Sequence, residues 1–307
     1  MVDAMNTFGH RPFSGLYNAD RVAETESWLG RNIQWTVLMA SRDGAGTMLS
    51  NVRALMNPTS KNGIPAETSK RLRLVVTVPL AFGRQITAKT PAGQAKIRRL
   101  LTGTAAGQWD DAYTSVAKTL ADHGHGASVI RLGHEQTGAW YPWSAVGNAD
   151  AYKAAFRHVR DVMKSASLQL RFEYNTATSG FAEWASAAYP GSDVVDIIGL
   201  DIYNKSTGGK FPSPFEVKWK RKLHPMLVEH HKFAVANGKP VSYAEWANGS
   251  VDEPLFIHRM TDWFTSLPSS GPGALFYQCY FNASKQEYKL NNYPNSMDAY
   301  AKRFGAN

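Results

Sequence analysis

The chain has 307 residues, of which 43% are hydrophobic and 19% are charged, a composition typical of a globular protein with a large apolar core. Its single cysteine, Cys279, excludes an intrachain disulfide and a cysteine-based metal site. The net charge is +9, but the cationic residues are dispersed and no nucleic-acid-binding signature accompanies them, so we expect no nucleic-acid partner.

Two segments indicate how the protein's surface is charged and whether the chain carries a targeting signal. The densest cationic cluster, KWKRK at 218–222, is interpreted as the solvated face of a helix. The N-terminal sequence MVDAMNTFGHRPFSGLY lacks the basic start and apolar segment of a signal peptide, and no apolar run approaches the roughly 20 residues of a membrane span. We expect residues 1–12 to form an N-terminal arm, the whole chain to be a single domain, and the protein to be a monomer.

Eight short runs of apolar, β-branched or aromatic residues recur along the chain, with segments of helical periodicity between them. In chain order they cover residues 13–18, 35–40, 72–80, 128–133, 169–175, 194–203, 240–246 and 273–281. Most are continuously apolar, as is typical of parallel strands that are covered on both faces. The intervening segments begin at Asn or Asp caps or end at glycine, which predicts helices.

Eight strands alternating with helices in about 300 residues predict a (β/α)8 barrel. The alternative is an open doubly wound sheet, which would normally carry a phosphate-binding glycine loop after its first strand. No such loop is present. In a barrel the active site forms at the carboxyl ends of the strands, so the residues at those ends are the candidates.

Carboxylates, amides and aromatic side chains lie at the predicted strand ends. Glu135 follows strand four and Glu245 lies at the end of strand seven. The other polar candidates are Arg131 in strand four, Asn175 at the end of strand five, Asp201 and Tyr203 in strand six, and Tyr280 in strand eight. The flat apolar face of a sugar ring packs on aromatic side chains, and we expect Trp140, Tyr141, Trp143, Tyr203 and Trp246 to provide such surfaces.

Two carboxyl groups at one barrel mouth suit glycoside hydrolysis, in which one protonates the leaving oxygen and the other attacks the anomeric carbon or activates water. A retaining mechanism predicts a separation of about 5 to 5.5 Å between them, and an inverting one roughly 6.5 to 9.5 Å. The sequence lacks the motifs of two other hydrolase classes, the zinc proteases and the α/β-type serine hydrolases. The pair His134–Glu135 is not a zinc-protease motif because Gly138 occupies the place of its second histidine, and no G-x-S-x-G elbow occurs. We expect no metal or organic cofactor.

Several residues have an ordinary structural interpretation. His230 and His231 fall in a predicted helix and are expected to face solvent or a helix end. The triplets NKS, NGS and NAS at Asn204, Asn248 and Asn282 match the glycosylation acceptor pattern, but each follows a strand end, and we interpret them as chance matches.

The segment RLGHEQTGAWYPW at 131–143 resembles the acid-bearing segment of glycoside hydrolase family 26, a family of β-mannanases, β-1,3-xylanases and mixed-linkage glucanases. The resemblance implies that Glu135 is the general acid, with His134 as the neighbour that tunes it. It also implies that Glu245 in PVSYAEWAN is the nucleophile and that Tyr203 in DIIGLDIYN contacts it. The chain departs from the family pattern where Pro142 and Ser144 interrupt the aromatic run, and FYQCYFN offers no tryptophan after strand eight.

We therefore expect a retaining endo-β-glycosidase that acts on a β-mannan or a related β-glycan, outside the cell or at its envelope, with a cytoplasmic location left open. Arg131 either buttresses the carboxylates from inside the barrel or forms a structural ion pair. Two alternatives remain open. One is a carbohydrate-binding barrel without activity, and the other is a transglycosylase or lyase that acts on an acidic exopolysaccharide.

Overall fold

The computed structural model describes residues 15–17, 22–60, 63–83, 85–205, 215–282 and 286–305. The expected N-terminal arm lies outside these ranges. Within them, no helix is both long enough and apolar enough to cross a membrane. The same residues contain no group of three or more His, Cys, Asp or Glu side chains arranged to hold a metal ion.

The predicted (β/α)8 barrel is confirmed, because eight strands follow one another in sequence order around a closed barrel. Pairing is parallel between strands one and eight, three and four, four and five, five and six, and seven and eight. The strands are β1 (Gly15–Tyr17), β2 (Trp35–Met39), β3 (Arg73–Val78), β4 (Val129–Leu132), β5 (Arg171–Ala177), β6 (Ile197–Lys205), β7 (Val241–Gly249) and β8 (Leu275–Tyr280).

Helices connect the strands, as the alternation in the sequence predicts. They are α1 (Val22–Leu29), α2 (Ala45–Met56), α3 (Ala66–Arg71), α4 (Pro91–Ala105), α5 (Asp110–Asp122), α6 (Ala149–Ala166), α7 (Phe181–Trp184), α8 (Phe215–Lys218), α9 (His224–Ala236), α10 (Pro254–Ser266) and α11 (Pro294–Phe304). A π-helical turn, Trp219–Leu223, joins α8 to α9, and two 3-10 turns, Gln286–Tyr288 and Leu290–Asn292, precede α11.

Strands β5, β6 and β7 extend two or three residues beyond their predicted ends, so that Asn204 and Asn248 lie inside strands and Asn175 is no longer the last residue of β5. Asparagine is uncommon in strands, which is why the sequence pattern ends each predicted strand at or before its asparagine. Here each side chain is buried and hydrogen-bonded, which offsets the cost of removing its amide from water.

The chain divides into two compact units, and the first comprises residues 37–201. In its ladder, Thr77 of β3 pairs with Arg131 of β4, and Arg131 pairs with Glu173 of β5. On the helix-covered side, the ring of Tyr152 of α6 lies 6.2 Å from that of Tyr174 of β5. The sheet of this unit therefore has polar side chains at Thr77, Arg131 and Glu173 and an aromatic layer under its helices.

The second unit comprises residues 1–36 and 202–307, and in it β8 pairs with both β1 and β7. Its core is built around Trp246 of β7, whose indole lies 5.4 Å from the ring of Phe264 of α10 and 6.2 Å from that of Tyr300 of α11. Helices α10 and α11 thus cover one face of β7 with aromatic side chains.

Candidate active site

The backbone around Glu135 turns sharply after β4 ends. Gly133 and Glu135 both have left-handed conformations, with φ of 55° and 51°. This conformation is unfavourable for a glutamate and persists only where the surroundings hold it. The Glu135 N–H donates to Asn175 Oδ1 at 3.0 Å, and this bond fixes the turn against β5.

The Glu135 carboxylate accepts a hydrogen bond from the Trp140 indole, with 2.9 Å between Nε1 and Oε2. A Cβ atom on Gly138 would lie 2.3 Å from the indole ring, so only glycine at this position lets Trp140 fold back over the backbone. Trp140 is 38% exposed. It is therefore positioned to hold the carboxylate and to offer an accessible aromatic surface, as the sequence predicts.

Behind Glu135 lies a stacked aromatic group. The rings of Tyr141 and Trp143 are 4.6 Å apart and nearly parallel, and the His134 ring lies 4.6 Å from that of Tyr141. Trp143 is buried and its indole donates to the His134 carbonyl at 2.7 Å. The expectation that Trp143 offers a sugar-binding surface is therefore wrong, because its ring is covered by neighbours and it buttresses the turn instead.

His134 is buried, and its surroundings favour the neutral imidazole. Burial, followed by the charges of Arg131 and Arg42, holds the pKa of its imidazole well below the usual 6.5. Neither ring nitrogen has a hydrogen-bond partner among the described residues. No hydrogen bond therefore joins His134 to Glu135, and its role in tuning that carboxylate stays a prediction.

Arg131 forms a buried ion-pair network inside the first unit. Its guanidinium pairs with Asp201, lies 3.7 Å from Glu173 Oε1 and donates to Asn175 Oδ1 at 3.1 Å. The Asn175 amide donates to Asp201 Oδ1 at 3.0 Å. Arg131 thus forms the structural ion pair that was one of its two predicted roles. It is linked to Glu135 through Asn175, whose Oδ1 accepts hydrogen bonds from both residues.

Glu245 lies within β7 and is 6% exposed. The pairing register of β7 against β8 shifts at this point. Tyr243 pairs with Gln278 and Trp246 pairs with Tyr280, so a three-residue step in β7 matches a two-residue step in β8. This is the arrangement of a β-bulge, a feature that is common beside active sites because it re-aims a side chain.

The Tyr203 hydroxyl donates a hydrogen bond to Glu245 Oε2. The Tyr203 ring packs edge-on to Phe281 at 5.7 Å and lies 5.2 Å from Tyr288. The contact between Tyr203 and Glu245 that the sequence predicts is therefore present, and Phe281 with Tyr288 occupies the region after β8 where the sequence offers no tryptophan.

Trp246 and Tyr280 were expected at the barrel mouth, and both expectations are wrong. Trp246 is fully buried and its indole donates to Gln278 at 2.7 Å, since adjacent residues of a strand face opposite sides and Glu245 occupies the other one. Tyr280 is also buried, packs against Trp246 and Tyr300, and accepts a hydrogen bond from the Asn248 N–H at 3.2 Å.

A second hydrogen-bonded group, which sequence reasoning missed, lies at the end of β6 and β7. Asn204 donates to Asn248 Oδ1 at 2.8 Å, and Asn248 donates to Ser296 at 3.0 Å. Lys218 donates to Asn204 Oδ1 at 2.5 Å, so the KWKRK segment is not simply a solvated face. Polar residues immediately beyond apolar strands were the available signal, but only the fold shows which of them meet.

Comparisons with known proteins agree with this geometry. The family model described as glycosyl hydrolase family 26 matches residues 109–270. Among curated relatives, endoglucanase H of Acetivibrio thermocellus is 25% identical over 205 residues, 64% of this chain and 22% of that protein. Mannan endo-1,4-β-mannosidase A and B of Caldalkalibacillus mannanilyticus is 24% identical over 195 residues, 61% of this chain and 31% of that protein. The match thus spans less than a third of either relative.

Solved structures share the fold across nearly the whole chain. A family 26 β-mannanase of Bacteroides ovatus has a TM-score of 0.62 at 16% identity, and the match covers 96% of this chain and 88% of that chain. The catalytic domain of an endo-β-1,4-mannanase of Bacillus sp. JAMB-750 has a TM-score of 0.66 at 17% identity, covering 98% and 88%. At these identities the likeness is one of fold.

Proposed function

Since this chain belongs to glycosyl hydrolase family 26, and is thus a glycoside hydrolase by family, we propose that it is a retaining endo-β-glycosidase. Its substrate is a polysaccharide, in our proposal a β-mannan or a related β-glycan. The relatives named for β-mannan and the endoglucanase relative support this substrate class. Because such polymers are found outside cells, we further propose that the protein acts outside the cytoplasm.

In the first step of the proposed mechanism, Glu135 as a carboxylic acid gives its proton to the glycosidic oxygen while the Glu245 carboxylate attacks the anomeric carbon. The carbon–oxygen bond breaks, the leaving sugar departs as an alcohol, and a glycosyl ester forms on Glu245. In the second step the Glu135 carboxylate removes a proton from water, the water oxygen attacks the anomeric carbon, and Glu245 is released as a carboxylate.

The surroundings of the two glutamates suit these different roles. Glu135 is partly accessible and is held by the indole N–H of Trp140, so the carboxyl can exchange a proton with substrate and water. Glu245 is nearly enclosed and one of its oxygens is fixed by the Tyr203 hydroxyl, which restricts rotation of the attacking carboxylate. The Tyr203 hydrogen bond to Glu245 is the observation that carries the proposal.

The test is reducing-end release from mannan, galactomannan, β-1,3-xylan, mixed-linkage glucan and one acidic exopolysaccharide, with Glu135→Ala and Glu245→Ala beside the wild type. We expect one polymer to be cleaved and both variants to lose about 10⁴-fold in kcat. Azide then separates the roles, because it should form an α-glycosyl azide with Glu245→Ala and a β-glycosyl azide with Glu135→Ala. Normal hydrolysis by Glu245→Ala would refute the mechanism.

The alternatives give different products in the same assay. Transglycosylation yields chains longer than the substrate, and a lyase yields an unsaturated sugar that absorbs ultraviolet light. A binding barrel without activity would retain glycan and release no reducing ends from any polymer.

A further inference from the structure

We propose that the glycan substrate carries anionic substituents, either carboxylate or sulfate, and that Lys205 and Arg42 bind them. The inference rests on the proposed glycosidase function and adds the charge of the substrate to it. Lys205 belongs to the unit of residues 1–36 and 202–307, and Arg42 belongs to the unit of residues 37–201.

Lys205 lies at the end of β6, two residues after Tyr203. Its ammonium group is 5.0 Å from the centre of the Tyr203 ring and 5.7 Å from that of Tyr288. Since the Tyr203 hydroxyl donates to Glu245, the cation lies against the same ring that holds the proposed nucleophile. Lys205 is exposed and forms no ion pair within the described part of the chain.

The position of Lys205 is built by its neighbours. Lys218 donates to the Lys205 carbonyl at 2.7 Å, which anchors its backbone. A Cβ atom on Gly249 would lie 3.3 Å from Lys205 Cγ and 2.9 Å from the Tyr288 ring, so this glycine allows both side chains to pack against β7. Burial raises the pKa of the Tyr288 phenol, and a hydrogen bond to Lys205 opposes that rise. The cation is thus held in place while staying exposed.

Arg42 occupies a comparable position against Tyr141, in the aromatic group next to Glu135. Its guanidinium carbon lies 4.9 Å from the centre of the Tyr141 ring, which is stacked on Trp143 and next to His134. The Arg42 carbonyl accepts a hydrogen bond from the Gly83 N–H at 3.0 Å. Among the residues that the structure describes, Arg42 also forms no ion pair.

A neutral mannan offers only hydroxyl groups, for which an unpaired cation has no special affinity. A cation held on an aromatic face remains able to bind an anion, because the ring stabilises its charge without neutralising it. Two such cations, one against the Tyr203 ring and one against the Tyr141 ring, would attract a polymer with acidic groups. The net charge of +9 would speed its association further.

The experiment compares kcat/KM on a neutral β-mannan with kcat/KM on the same polymer after light carboxymethylation or light sulfation. We expect each charged polymer to be preferred by about fivefold to tenfold, and raising salt from about 20 mM to about 500 mM to abolish the preference by screening. The derivative with the larger preference identifies the anionic group, carboxylate or sulfate, that is bound better.

Variants then assign the preference to particular residues. In Lys205→Gln and in Arg42→Gln, the ratio of charged to neutral kcat/KM should fall about threefold to fivefold, and Lys205→Arg should keep it. Lys118→Gln, an exposed change in α5 that removes the same charge, is the matched control and should leave the ratio unchanged.

The outcomes separate this inference from the proposed function. Cleavage of neutral and charged polymers at equal rates, or a ratio unaffected by both glutamine variants, would overturn the inference and leave the glycosidase standing. Failure of the wild type to cleave any polymer, neutral or charged, would overturn the proposed function and the inference with it.

Discussion

The surroundings of Glu135 and Glu245 hold a carboxylate in two different ways. Glu135 lies in a left-handed turn beyond β4, fixed by the Asn175 side chain and by the indole of Trp140. Glu245 lies inside β7, fixed by the strand ladder and by Tyr203. A group that must give and take protons tolerates a loop position with partial exposure, whereas a group that must attack one atom benefits from the rigidity of a sheet.

The two surroundings also differ in charge. Linked to Glu135 through Asn175 is the fully buried set of Arg131, Glu173 and Asp201. At the ends of β6 and β7, the neutral side chains of Asn204, Asn248 and Ser296 are hydrogen-bonded to one another, with Lys218 and Asp252 bonded to the two ends of this network. The first arrangement buries a cation with two carboxylates and the second has neutral side chains at its centre, and this difference can be tested by removing single groups.

The largest expected effect is that of Arg131→Met on stability. The variant leaves Asp201 and Glu173 buried without their cation, and we expect a loss of about 3 to 5 kcal/mol in the free energy of unfolding, measured by urea denaturation. Arg157→Met, which breaks the exposed pair with Asp193, is the control and should cost less than about 1 kcal/mol. Adding Asp201→Asn to Arg131→Met should restore part of the loss. An equal cost for both single variants would contradict the argument that the buried carboxylates require their cation.

Tyr203→Phe tests the surroundings of Glu245 through their effect on kcat and KM. It removes one hydrogen-bond donor from Glu245 and keeps the ring, so we expect kcat to fall roughly 10²-fold to 10³-fold with little change in KM. Tyr293→Phe, whose hydroxyl donates to the Glu287 carbonyl, is a matched loss of one hydroxyl and should leave kcat within about twofold. A rise in KM without a fall in kcat would assign Tyr203 to substrate binding alone.

Trp140→Phe tests the hydrogen bond that the Trp140 indole donates to the Glu135 carboxylate. The phenyl ring keeps an aromatic surface but cannot donate to the carboxylate, so we expect kcat to fall about tenfold while KM changes little. Trp140→Ala should lower kcat similarly and raise KM, because the accessible surface is lost as well. Identical kinetic parameters for the two variants would show that the ring itself binds no sugar.

The smallest expected effect is the pH dependence of stability that His134 contributes. In the unfolded chain this histidine takes a proton as the pH falls below 6.5, whereas burial and the arginine charges keep it neutral in the folded protein. Folding stability should therefore be complete above pH 6.5 and fall below it by up to about 1.4 kcal/mol per pH unit. His134→Phe should flatten the slope, measured by urea denaturation at about pH 5, 6 and 7. An unchanged slope would show that His134 is protonated in the folded state.

The barrel could be predicted from the sequence because apolar runs mark its strands. The barrel rule also leads to Glu135, just after β4, and Glu245, within β7, whose catalytic roles stay a prediction. The burial of Trp143, Trp246 and Tyr280 could not be predicted, since it depends on which side of each residue is covered by neighbouring elements of the fold. The histidine prediction for helix α9 failed in the same way. His230 is buried against Tyr243, with ring centres 5.4 Å apart, rather than facing solvent. His230 lies three residues after Leu227 and four before Ala234, so it shares their buried face of α9.

The β-bulge in β7 has a consequence for how this strand tolerates insertions and deletions. Tyr243 and Trp246 both contact Phe264, at 5.3 and 5.4 Å, although residues three apart on a regular strand point to opposite faces. The extra residue thus resets the alternation for everything that follows it. Deleting Ala244 would give a regular strand that still places Tyr243 and Trp246 on one face and Glu245 on the other. The extra residue is therefore not needed to decide which face each side chain takes; it gives the strand the local bend and stronger twist of a bulge.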